Sequence, residues 1–126
     1  MEIKSLFKGF NHYAIEVRNL ALSIDFYRDI LQFPLLQRPE FDFSGAWFDI
    51  GDGQQIHLIE NRDVHITLAG SRALHFAFDV SDLVVLKSYL MDKGVLITKD
   101  IKTRPDGVLQ MFIMDPDGYY IEFTQL

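Results

Sequence analysis

Cysteine is absent from the 126 residues, so the fold has neither disulfides nor thiolate-held zinc, and a chain of this length is large enough to build one core without them. Any internal repeat must then be two halves of one domain. Also missing is an apolar run near the roughly 20 residues that a spanning helix needs. The N-terminal stretch MEIKSLFKGF lacks the long apolar segment and small-residue cleavage site of a signal peptide. Together with the missing cysteine, this points to a cytoplasmic protein with no membrane partner. Clusters of lysine and arginine are lacking too. Twelve basic against eighteen acidic residues give a net charge of −6, which opposes binding to a phosphate backbone, so no nucleic-acid partner is expected. What remains is ordinary globular material, 48% hydrophobic, 24% charged and 13% aromatic.

What is present is a sentence said twice. GDGQQIHLIE at 51–60 and PDGYYIEFTQ at 116–125 align at a constant offset, which takes Asp52, Gly53, Ile56 and His57 to Asp117, Gly118, Ile121 and Glu122. HYAIEVRNL at 12–20 likewise aligns with HFAFDVSDL at 75–83, with His, Ala, acid, Val and Leu in register. Helical spacing follows each copy: Ser23, Ile24, Phe26, Tyr27, Ile30 and Leu31, then Leu83, Leu86, Tyr89 and Leu90. Ser81 and Asp82 look like an N-cap pair for the second helix, and Gly94 like its C-terminal stop. β-rich pieces come next, PLLQR at 34–38 and VLITK at 95–99. Each copy closes with a hairpin turning at Asp-Gly, where both turn residues must tolerate positive φ. Each half thus reads strand, helix, strand, strand, strand. The chain is read as one domain with a first module at about 7–60, a linker at 61–73 and a second module at about 74–126. Within the linker, VHITLA is a candidate for a further short strand.

Strand side chains alternate between faces, so parity decides which way the histidines point. Tyr13, Ile15 and Val17 share one face, and His12, Ala14 and Glu16 share the other. The second copy divides Phe76, Phe78 and Val80 from His75, Ala77 and Asp79 in the same way. The helices cover the greasy sides, which leaves the histidines on the open face. In the closing strands Gln55, His57 and Ile59 oppose Ile56 and Leu58, and Tyr120, Glu122 and Thr124 oppose Ile121 and Phe123. A lone His in an apolar strand is usually a half-buried structural residue. Here three of the four histidines, with one Glu, occupy repeat-equivalent positions of matching parity. His12, His57, His75 and Glu122 are therefore the candidate metal ligands, two from each module, with the site expected where the modules meet. His65, without a repeat partner, is read as structural or surface.

Strand-His, helix, hairpin, then DPDG before an apolar-Glu strand resembles the pattern of the vicinal oxygen chelate superfamily, also called the glyoxalase, bleomycin-resistance and extradiol dioxygenase group. The similarity runs from about Phe10 to Leu126, and LALSIDFYRDILQF at 20–33 and MDPDGYYIEF at 114–123 are its most specific pieces. The resemblance implies an α+β fold of two tandem βαβββ modules. Their curved mixed sheet carries helices on its outer face, and the modules pair into a cup or half-barrel around a divalent ion. Small members commonly pair two chains with sites between subunits. A homodimer is thus expected, with His12 and His57 meeting His75 and Glu122 of the other chain. The family motif places ligands on His12, His75 and Glu122. His57 falls where glyoxalase I or epimerase members more often have Glu or Gln. Ring-cleaving dioxygenases and fosfomycin-modifying members typically leave that position without a ligand. A ligand at 57 favours the lyase and isomerase branch, while histidine in place of a carboxylate weakens the same inference.

Three imidazoles and one carboxylate suit Zn, Ni, Co, Fe or Mn. The function so implied is that of a metal-dependent glyoxalase-like lyase or isomerase, acting on a small substrate with adjacent oxygens through an enediolate-type intermediate. Glu122, the only ligand carboxylate, is the candidate catalytic base. Glyoxalase I members of this size carry an arginine four residues after the first His for the glutathione carboxylate. Glu16 stands there in this chain and repels a carboxylate, which disfavours a glutathione hemithioacetal. Arg38, Lys102 and Arg104 are read as solvated surface charges rather than an anion grip. Trp47, Phe48, Met111 and Tyr120 either line the cup or fill the core, core being the commoner role for hairpin aromatics. Two alternatives stand beside the lyase. One is an Fe(II) extradiol-type dioxygenase using His12, His75 and Glu122, with His57 behind them. The other is a metal-free drug-binding protein of the bleomycin-resistance kind, against which the retained ligand set argues.

Overall fold

The computed structural model describes residues 2–66, 72 and 74–126. The chain divides into two compact units, Met1–Val64 and His65–Leu126. Each contains a four-stranded mixed sheet with the same connectivity.

In the first unit a 3₁₀ turn at Ile3–Leu6 precedes β1 (His12–Val17), α1 (Leu20–Ile24), β2 (Leu35–Leu36), β3 (Gly45–Gly51) and β4 (Gln54–Glu60). The strand order is β1-β4-β3-β2, with β1 parallel to β4 and the other pairs antiparallel. The alternation predicted for β1 holds: Ile15 and Val17 are buried while His12, Ala14 and Glu16 are exposed. Asn19 caps α1, its side-chain oxygen accepting from the Leu22 amide at 3.1 Å. Helical spacing was expected to run on to Leu31, but α1 passes at Asp25–Ile30 into a π-helical turn, in which the Leu31 amide reaches the Phe26 carbonyl at 3.0 Å. Successive side chains on a regular helix diverge by about 100°. The widened turn accompanies burial of the adjacent residues Phe26 and Tyr27, whose rings meet edge to face at 5.0 Å.

The second unit repeats the plan with β5 (His75–Asp79), α2 (Leu83–Asp92), β6 (Ile97–Thr103), β7 (Leu109–Met114) and β8 (Tyr120–Gln125), ordered β5-β8-β7-β6. Asp82 caps α2 through the Val85 amide at 3.1 Å, and Gly94, at φ 78°, ends it in the left-handed conformation foreseen for that glycine. One capping device was not legible in the sequence. The first amide of each helix donates to the last strand of its own unit, Leu20 to Glu60 Oε2 at 3.0 Å and Leu83 to Gln125 Oε1 at 2.8 Å. Glu60 and Gln125 are themselves repeat-equivalent, so the cap belongs to the duplicated plan.

The two Asp-Gly turns differ. Asp52 and Gly53 both adopt positive φ, 51° and 72°, as a tight hairpin turn requires. In the second unit only Gly118 does, at φ 95°. The connection there is a five-residue loop, in which the Asp115 side chain accepts from the amides of Asp117 and Tyr119, both at 2.9 Å. Pro116, whose ring fixes a negative φ, makes this a different turn from its counterpart. Of the VHITLA segment, residues 64–66 form no strand, and 67–69 lie outside the described residues.

Tyr27, Phe48, Ile56 and Leu58 fill the first core, and Leu83, Leu90, Met111, Ile113 and Ile121 the second. Each fully buried large aliphatic side chain contributes roughly 1.5–3 kcal/mol. Phe48 and Met111 thus take the core role, not a lining one. No helix among the described residues is long and apolar enough to cross a membrane.

Candidate metal centre

The open face of the first sheet carries a column of three stacked rings. Ala14 lies opposite His57 across β1 and β4, and Trp47 lies opposite His57 across β3 and β4, so His12, His57 and Trp47 all project from one side. Ring centroids of His12 and His57 are 4.1 Å apart, inclined at 15°, and those of Trp47 and His57 are 4.1 Å apart, inclined at 5°. Neighbouring amides fix the histidine edges: His12 Nδ1 is 2.7 Å from Asn11 Oδ1, and His57 Nε2 is 2.8 Å from Gln55 Oε1. An amide oxygen only accepts, so these ring nitrogens donate, leaving His12 Nε2 and His57 Nδ1 with the free lone pairs. Burial pushes His57 below the usual imidazole range, helped by the charges of His12 and Arg38. That shift favours the neutral ring, the form that ligates metals. The hollow before these rings measures about 550 Å³ and is walled further by Phe41 and Phe43.

The second sheet places His75 and Glu122 on its own open face, Ala77 standing opposite Glu122 across β5 and β8. His75 Nε2 and Glu122 Oε1 are 3.0 Å apart. Glu122 is 6% exposed, wedged beside Phe112, its partner across β7 and β8. Its second oxygen lies 3.6 Å from Arg104 Nη1. Hydrogen bonding to Asp106, more than any other influence, raises Arg104 above the ordinary guanidinium value. The adjoining hollow measures about 350 Å³.

Donor chemistry fits a divalent ion. Two ligands with bonds of about 2.1 Å at right angles sit roughly 3.0 Å apart, and His75 Nε2 and Glu122 Oε1 already show 3.0 Å. Among the described residues no three His, Cys, Asp or Glu side chains gather as a group, so each unit offers a pair of donors.

Comparison with known proteins places this plan in a family. The model of the Glyoxalase/Bleomycin resistance protein/Dioxygenase superfamily matches residues 9–123. The chain belongs to this superfamily. Within it, the lactoylglutathione lyase of Neisseria meningitidis serogroup A is 31% identical over 121 residues, spanning 90% of this chain and 88% of that protein. The crystal structure of the glyoxalase family protein from Enterococcus faecalis matches with a TM-score of 0.80 at 25% identity, over 94% of this chain and 98% of that one. The fosfomycin resistance protein FosX from Listeria monocytogenes matches with a TM-score of 0.77 at 18% identity, over 95% and 94% of the two chains, and shares the fold. The double βαβββ plan read from the repeat is thus the fold of a superfamily with more than one chemistry.

Within this superfamily member the four candidate ligands fall where parity put them, as two side-chain pairs on open sheet faces. His65 is exposed and lies outside regular structure. Arg38 is no solvated charge: its guanidinium sits over Phe41 and Phe43, 4.9 and 4.8 Å from the ring centroids, and donates to the Phe43 carbonyl at 2.9 Å. Lys102 is exposed, as expected of a solvated charge, and Arg104 is paired with Asp106, while both also line the hollow beside His75 and Glu122. Trp47 lines a hollow, whereas Phe48 and Met111 do not. The orienting role of the amides Asn11 and Gln55 depends on side-chain contacts that the sequence only partly marks. Gln55, two residues from His57 on one strand face, was the one accessible signal.

Proposed function

We propose that this superfamily member is a divalent-metal-dependent lyase or isomerase of the glyoxalase type, acting on a small substrate with adjacent oxygens. The observation that carries this is the His75–Glu122 pair, an imidazole and a buried carboxylate at 3.0 Å on an open face. Similarity to proteins named lactoylglutathione lyase supports the reaction class. His12, His57, His75 and Glu122 hold the ion, which is Zn, Ni, Co, Fe or Mn. When bound, such an ion polarises a chelating substrate and stabilises the negative charge left as a proton departs beside a carbonyl.

The chain's own residues do the rest. Glu122 is the base, accepting the proton at Oε2, the oxygen that faces Arg104 and not His75. With only one carboxylate in the ligand set, proton transfer from a single side is favoured over racemisation. Asn11 and Gln55 hold the imidazole edges, and the Trp47 ring shields His57 from water. Glu16 projects from the same face as His12 and accepts from Asn61 Nδ2 at 3.0 Å, which keeps an acid where a glutathione carboxylate would need a cation. We place the protein in the cytoplasm as a homodimer with the ion held between subunits. Exposure of Phe7 and Phe10, at 77% and 64%, supports a partner for the N-terminal segment.

The test is elemental analysis of untagged protein after metal reloading, followed by solvent-deuterium exchange at carbons beside the carbonyl of small hydroxycarbonyl compounds. A metal content below about one ion per ten chains removes the reading and leaves the metal-free binder. One observation favours a second reading, an Fe(II) extradiol-type dioxygenase with His12, His75 and Glu122 as ligands. His57 is stacked on both faces and tied to Gln55, as an orienting residue would be. Oxygen uptake with catechols after anaerobic Fe(II) loading separates the two.

A further inference from the structure

The hollow beside His75 and Glu122 is lined by four cationic side chains, Arg72, Lys99, Lys102 and Arg104, against two carboxylates, Asp100 and Glu122. Both carboxylates already have partners: Asp100 meets Lys87 Nζ at 2.7 Å and Glu122 meets His75 at 3.0 Å. In a chain of net charge −6 such a concentration of positive charge is against the trend.

Register shows how the charges come to share this wall. Lys99 and Lys102 are three residues apart on β6, a spacing that puts side chains on opposite faces of a regular strand. Their partners on β7 are Phe112 and Gln110, two residues apart, so the pairing shifts between them. A second shift lies between Ile97, opposite Ile113, and Lys99, opposite Phe112. An extra residue at such a bulge re-aims the side chains beyond it. The result is two rows across the sheet, Lys99–Phe112–Glu122–Ala77 and Lys102–Gln110–Thr124–Asp79, on the face that carries His75. Lysines on an edge strand deter pairing with a foreign strand whichever face they occupy. Two register shifts that bring both to the ligand face are not needed for that role.

We propose that this hollow binds a compact oxyanion, a carboxylate or phosphate group carried by the substrate, with Lys99 and Lys102 as its principal counter-charges and Arg104 and Arg72 beside them. Its 350 Å³ is at the small end of ligand sites and suits a low-molecular-weight acid. The anion's recognition then lies in the second module, while the first presents an acid, Glu16, on the same strand face as His12. This rests on the proposed lyase or isomerase function only for the reacting end of the ligand, because anion binding requires neither metal nor turnover.

The experiment follows amide NMR shifts of the full chain, dialysed against chelator, during titration with inorganic phosphate and separately with malonate at constant ionic strength. Saturable shifts at Lys99, Lys102, Arg104 and Gln110 are expected, and the better-bound probe tells a phosphorylated from a carboxylic substrate. Lys99→Gln with Lys102→Gln should weaken binding at least about tenfold, since each lost charge-assisted contact is worth on the order of a factor of ten. Lys99→Arg with Lys102→Arg should retain it, as should Lys93→Gln at the end of α2. No saturation with either probe, equal shifts from neutral acetamide, or equal weakening by Lys93→Gln would overturn the proposal. Metal content measured on the same variants keeps the two ideas apart: anion binding without metal sinks the lyase reading alone, and metal without anion binding sinks this one alone.

Discussion

Glu122→Gln separates what the carboxylate does for the fold from what it does for a ligand. The substitution keeps shape and removes a charge from a side chain only 6% exposed. Its compensation is incomplete: one bond from His75 at 3.0 Å and a guanidinium at 3.6 Å that is itself engaged with Asp106. A hydrogen bond to a charged group contributes about 1.5–3 kcal/mol and a neutral one about 0.5–1.5, so the amide forfeits about 1 kcal/mol at His75. Relief from burying a charge returns an amount of similar or larger size, since replacing buried ions by neutral groups is often neutral or stabilising by about 1–4 kcal/mol. Metal-free Glu122→Gln is thus expected to unfold in urea within about 1 kcal/mol of the wild type, or later than it. Divalent-ion affinity, measured by competition with a coloured chelator, should fall by about a hundredfold or more, beyond the loss typical of an outer-shell change. A loss of more than about 2 kcal/mol with unchanged affinity would make the carboxylate a structural member of the His75–Arg104 network and refute the reasoning.

Gly45→Ala should destabilise the first unit by about 1–3 kcal/mol in chemical denaturation, because a Cβ there collides with the carbonyl oxygen of Leu58, which as backbone has no rotamer to escape into. Asp82→Ala should cost about 1 kcal/mol by removing the cap on the Val85 amide, with Asp82→Asn recovering most of it on a thermal melt. Asp115→Ala removes the acceptor of two amides in a buried loop and should cost about 2 kcal/mol or more in urea unfolding, whereas Asp52→Asn in the exposed counterpart turn should change stability by less than about 0.5 kcal/mol.

Period-two patterning made the faces of β1, β4, β5 and β8 legible, since alternation is a local property and in each of these strands the apolar side is the more buried one. The repeat made the topology legible, because the second copy had to fold like the first. What failed to read depends on contacts across strands. Lys99 and Lys102 fall on one face only through the shifts between β6 and β7, and a single strand's sequence carries no trace of them. The difference between the Asp52-Gly53 and Asp117-Gly118 turns was in principle accessible, as Pro116 and Asp115 mark a longer loop. The matching dipeptide outweighed its surroundings. The π-helical turn escaped because six apolar or small positions of adequate helical spacing, Ser23 to Leu31, conceal the extra residue of the widened turn.

The helix caps supplied by Glu60 and Gln125 bear on how each unit assembles. Cap and capped amide are 40 residues apart in the first unit and 42 in the second, so the first amide of each helix finds its acceptor only in the last strand, although Asn19 and Asp82 supply local caps to the same turns. Closing so distant a pair costs loop entropy that only the assembled sheet repays, which couples full satisfaction of each helix N-terminus to the arrival of the final strand and favours cooperative formation of each half.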